Sequence, residues 1–139
     1  MKKKQLNRLI IFFLGSGFLV LAFEIYLQHY ELLSDKKITW LPIIFGLCGG
    51  VLMLLVALFL NRFSYYIFFV LMVISILVGI LGLYLHNKWR LPSLTSFLLY
   101  GKEFDFEILT TYTPLLAPSS FIAIGILGIL IVSFQRCDE

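Results

Sequence analysis

The sequence predicts an all-α integral membrane protein: a bundle of four transmembrane helices, with a short interfacial helix or loop between the third and fourth. Three observations carry that expectation. First, 60% of the 139 residues are hydrophobic and only 14% are charged, whereas a soluble domain is about a quarter charged because it must cover its surface with polar groups. Second, the apolar residues collect in four runs of spanning length, since roughly 20 residues of helix cross about 30 Å of hydrocarbon. Third, the densest basic cluster, Lys2, Lys3, Lys4 and Arg8, immediately precedes the first run. The mean hydropathy of +0.98 agrees with the first two.

The spans are expected at about 9–30, 40–60, 65–85 and 115–134, with an external segment over 86–113. Together they make residues 1–139 one transmembrane domain. Backbone amides in lipid must find partners within their own segment or in a closed barrel, and these runs lack the alternation of barrel strands. They are therefore predicted as helices. The first run also resembles a secretory signal, with Val20-Leu21-Ala22 as a cleavage site. It is long for a signal, however, and no secreted domain follows it.

Positive charge is retained on the cytoplasmic side of membranes, so the N-terminal cluster predicts a cytoplasmic N-terminus, and four spans return the C-terminus to that side. Arg62, between spans two and three, and Arg136, after span four, agree with this orientation. Lys36, Lys37, Lys88, Arg90 and Lys102 fall on the other side and weaken the bias. The expected location is the bacterial inner membrane, multi-pass. The net charge of +3 comes from the membrane flanks. It is not the clustered basic face of a nucleic-acid-binding protein.

Span two starts at Trp40, with Pro42 in its first turn, where a missing amide proton costs little. Asn61-Arg62-Phe63-Ser64 reads as a tight turn, making spans two and three an antiparallel hairpin flanked by the interfacial Tyr65 and Tyr66. In the external segment, 92–100 is expected as an interfacial helix started by Pro92 and stopped by Gly101. Glu103-Phe104-Asp105-Phe106-Glu107 alternates acid and ring and is expected to be an interfacial loop with aromatic anchors.

Helices in lipid associate through small residues that permit close backbone approach. Each run has such a stripe: Gly15, Ala22 and His29; Gly46, Gly50 and Ala57; Ser75, Gly79, Gly82 and His86; and Gly125 with Gly128. These positions are the expected packing faces, and they serve an internal contact or a homo-oligomer equally well.

The polar exceptions are few. Glu24 is the one charged side chain well inside a run, and it shares a helical seam with Gly17, Gln28 and Glu31. A carboxylate inside a bilayer is costly, which makes it a candidate for proton or cation binding, with a structural hydrogen bond as the alternative. His29 and His86, the chain's two histidines, both end their spans on the external side. They are candidate metal ligands together with Glu24, against the plainer reading of two interfacial histidines capping the bundle. Five residues separate Glu24 from His29, about 140° around an ideal helix, so the two diverge unless the helix distorts.

Nothing points to catalysis. Cys48 and Cys137 lack metal-site spacing. Ser119 and Ser120 follow Pro118 without a nucleophile elbow and read as helix-start caps. No phosphate loop, dinucleotide fingerprint or zinc-protease motif is present.

Gly82-Leu83-Tyr84-Leu85-His86, with the later Thr113-Pro114-Leu115-Leu116-Ala117-Pro118, and His29-Tyr30 leading to Trp40-Leu41-Pro42, resemble a group of small uncharacterised bacterial inner-membrane proteins with four spans. In that group histidines end spans one and three, and a Pro-containing stretch enters span four. The resemblance implies the same topology and no particular activity. This chain departs from the group in lacking a Gly-rich turn in the loop. The functional expectation is a non-enzymatic accessory or assembly subunit at the extracytoplasmic face, with the lipid bilayer and a membrane protein as partners. The alternatives are a small ion or metal transporter using Glu24 with His29 and His86, and a haem- or metal-binding redox component. The sequence names no cofactor.

Overall fold

A computed structural model describes residues 3–34, 36–87, 99–101 and 116–136. The chain is all-helical, with four helices and no strand among the described residues. They are α1 (Lys3–His29), α2 (Trp40–Leu58), α3 (Arg62–Asn87) and α4 (Leu116–Arg136). Three stretches, Lys4–His29, Lys37–Leu58 and Arg62–His86, are long and apolar enough to cross a membrane, and a shorter apolar stretch occupies Pro118–Ile131 within α4.

The helix boundaries differ from expectation where polar residues extend a helix. α1 begins at Lys3, six residues before the apolar run, because Lys, Gln and Arg are good helix formers whatever their polarity. α3 begins at Arg62, inside the segment expected as a turn. The cause is Asn61, whose Oδ1 accepts the Ser64 amide at 2.8 Å, the arrangement of a helix N-cap. The Ser64 hydroxyl donates to the Phe59 carbonyl at 2.5 Å and ties the end of α2 to the same cap. α4 begins at Leu116, so Ser119 and Ser120 sit within the helix and not at its start.

The link between α1 and α2 is two short 3-10 turns, Tyr30–Leu32 and Lys37–Thr39. Thr39 Oγ1 donates to the Lys36 carbonyl at 2.6 Å, and Trp40 Nε1 reaches back to the Leu33 carbonyl at 3.2 Å. Of the expected interfacial helix over 92–100, Leu99 and Tyr100 are helical and exposed. Gly101 follows at φ +60, the left-handed conformation that ends helices at low cost for glycine. The rest of that segment, the acidic-aromatic run 103–107, Cys137 and the entry to α4 before Leu116 lie outside the described residues.

Helix pairing follows the small residues. α1 packs antiparallel on α2: Gly46 lies against Ala22 and the Phe18 carbonyl, and Gly50 against Leu19 and the Gly15 carbonyl. α3 packs antiparallel on α4: Gly79 lies against Pro118 and Ile122, Gly82 against Pro118, Gly125 against Met72 and Ile76, and Gly128 against Met72 and Phe68. These two pairs hold far more contact than α2 makes with α3 or α1 with α4. The short turn joins α2 to α3, yet each packs mainly on its other neighbour. The α2 stripe meets the α1 stripe, and the α3 stripe meets α4, so the close backbone approaches fall within those pairs and not across the turn.

The pairs meet around large side chains. Phe18, Phe68, Phe121, Ile11, Met53 and Met72 are fully buried. Rings of Phe18, Phe45 and Phe121, from α1, α2 and α4, form a triangle with centroids 5.3 to 5.8 Å apart. These are favourable spacings for edge-to-face aromatic contact. The outward faces carry Phe13, Val20, Phe23 and Leu27 on α1, Leu55 and Leu58 on α2, and Leu77 and Ile80 on α3. An apolar surface of that extent marks contact with lipid or with another protein.

Candidate functional site

Two polar contacts bracket α1 and α3. Near their N-terminal ends, the Asn7 side-chain amide donates to the Tyr65 hydroxyl at 3.1 Å. At their C-terminal ends, the rings of His29 and His86 lie 5.5 Å apart, centroid to centroid, with planes inclined by 60°. The two helices therefore run parallel, and the histidines, 57 positions apart in the chain, meet at one end of the molecule.

The position of the pair follows from local structure. α1 ends at His29 and α3 one residue beyond His86, so both rings sit in a last turn, where a polar side chain is least costly to a membrane helix. His29 Nδ1 lies 3.0 Å from the Ile25 carbonyl, one turn earlier. A carbonyl only accepts, so that bond requires the proton on Nδ1 and, in the neutral ring, leaves the lone pair on Nε2. Both imidazoles are partly buried.

Glu24 takes no part in this meeting. Its side chain is exposed on α1 and accepts from Gln28 Nε2 at 3.1 Å. The bond places Glu24 and Gln28 one turn apart on a shared seam, while His29 lies on another face, as helical geometry requires. Glu31 is also exposed. Among the described residues no group of three His, Cys, Asp or Glu side chains comes together to hold a metal ion. Cys48 is exposed on α2.

At the opposite end an open groove between α1 and α2 is lined by Gln5, Arg8, Leu9, Phe12, Ala57 and Leu58. It is mostly apolar, with one cation at its rim. Sequence reasoning missed both this groove and the Phe18–Phe45–Phe121 triangle. On a helix that is apolar all round, nothing in the pattern separates a ring facing lipid from one facing protein.

No protein-family model matches the chain, and neither does any curated protein or solved structure. The likeness to four-span inner-membrane proteins rests on short sequence motifs alone.

Proposed function

We propose that the protein is a four-span, non-enzymatic accessory or assembly subunit of the bacterial inner membrane, with both termini cytoplasmic and its polar recognition elements at the extracytoplasmic end. The observation that carries this reading is how the helices fill their own interior. The Phe18, Phe45 and Phe121 rings pack together where α1, α2 and α4 meet. On either side of them, glycines set backbone against backbone at Gly50–Gly15 and Gly79–Pro118. Among the described residues, helices packed this way offer partners surfaces rather than a chamber. Those surfaces are an apolar outer face for lipid or another membrane helix, and the helix ends carrying His29, His86, Glu24 and Glu31.

Extraction of the untagged protein from native membranes in a mild detergent, followed by native separation and mass spectrometry, tests the reading. A reproducible partner subunit is expected. Recovery as a lone monomer from native membranes across several gentle detergents would overturn it. Thiol labelling of single cysteines placed beside Lys4 and Glu31 tests the orientation. Labelling from opposite sides, with the Lys4 neighbour reached from the cytoplasm, is the expected result.

A further inference from the structure

We propose that His29 and His86 form a two-histidine site for a divalent transition-metal ion of the zinc class, joining the ends of α1 and α3, with Glu24 outside it. The inference goes beyond the accessory reading and does not depend on it.

Three features point to this. The first is distance. A metal–nitrogen bond of about 2.0–2.1 Å, plus about 1.1 Å from nitrogen to ring centre, places each imidazole centroid about 3.2 Å from a shared ion. Centroids 5.5 Å apart then subtend about 120° at that ion, about 10° wider than the ideal tetrahedral angle of zinc.

The second feature is ring orientation. The Ile25 carbonyl, 3.0 Å from His29 Nδ1, fixes the proton there and holds the ring. Ligating histidines almost always make this outer bond, which selects the tautomer and leaves the other nitrogen to the metal.

The third feature is placement. Partial burial raises the value of a ligand bond, and the end-of-helix position leaves water free to complete the coordination. The Glu24 carboxylate is exposed, engaged by Gln28 and about 140° around the helix from His29, so it adds no ligand. Imidazole donors suit an ion of borderline softness, and among the described residues no thiolate or carboxylate joins them.

The test is Co2+ titration of the untagged full chain in detergent or nanodiscs, followed by optical absorption and displacement with Zn2+. One Co2+ per chain, displaced by Zn2+, is expected in the wild type. His29→Ala and His86→Ala should each weaken binding at least roughly tenfold, whereas Glu24→Gln should bind as the wild type does. Absence of stoichiometric metal on the wild-type protein overturns the proposal whether or not the variants fold. Equal binding in wild type and both histidine variants overturns it too, as does loss of binding in Glu24→Gln. Partner co-purification is measured separately, so either proposal can fail alone.

Discussion

The Ser75 hydroxyl donates to the Phe121 carbonyl across 2.7 Å, joining α3 to α4 through a side chain with no solvent-accessible surface. The acceptor is a helix carbonyl that also serves its own backbone ladder, so removing the serine does not orphan it. Interhelical hydrogen bonds in membranes average about 0.6 kcal/mol and reach about 1.7. Ser75→Ala should therefore lower stability by an amount within that range, read as a shift in the midpoint of denaturing-detergent unfolding. A loss several times larger would show that Ser75 does more than bridge the two helices.

Gly79→Ala should be worse. A Cβ at Gly79 would lie 2.6 Å from Ile122 Cγ1 and 2.7 Å from the Pro118 carbonyl oxygen, and backbone does not move aside. Overpacking of this kind costs about 1–3 kcal/mol. At Gly17 the nearest atom is Ile124 Cδ1 at 3.9 Å, an ordinary contact, so Gly17→Ala should leave the same unfolding midpoint nearly unchanged. Equal effects at the two positions would contradict the α3–α4 contact.

Phe18→Ala opens space where α1, α2 and α4 meet. In water such a change costs both a transfer and a cavity term, but lipid is as apolar as the core, so only the cavity term remains. With about 24 cal/mol per Å3 of residual cavity, the loss should be roughly 2 kcal/mol. Phe13, exposed on the same helix, is the control: Phe13→Ala should change stability by less than a quarter of that.

A centre filled by rings gives an expectation for transport. Liposomes carrying the purified protein should hold an imposed proton gradient as long as empty ones. Glu24→Gln should not alter the result, because Glu24 sits on the outside of α1. Proton flux that disappears in Glu24→Gln would favour the transporter alternative over the accessory one.

Much of the helical architecture is legible in the sequence. The runs at about 40–60 and 65–85 contain most of α2 and α3, because sustained hydropathy reports length and location directly. The glycine stripes were visible as well, but a stripe tells which face packs and not against which helix. Gly50 could have met α3 across the turn, and instead it meets Gly15. Asn61 carried a readable capping signal, three residues before Ser64, that hydropathy alone obscured. The shared depth of His29 and His86 followed from span count, while their contact required the sideways arrangement of α1 and α3, which no single-helix pattern encodes. The separation of Glu24 from His29 was legible as an angle, since five residues do not close a whole number of turns.

The pairing of α1 with α2 and of α3 with α4 also bears on how the protein is made. Both tight interfaces join neighbours in the chain, and synthesis runs from the N-terminus. The Gly15–Gly50 and Ala22–Gly46 contacts can thus be complete before α3 exists, and the second pair can close without disturbing the first. The Phe121 corner of the aromatic triangle and the bracketing Asn7–Tyr65 and His29–His86 contacts are among those that must wait for both halves. Biogenesis can then proceed as two hairpins that dock late, and misassembly of the pairs is the failure such an order invites.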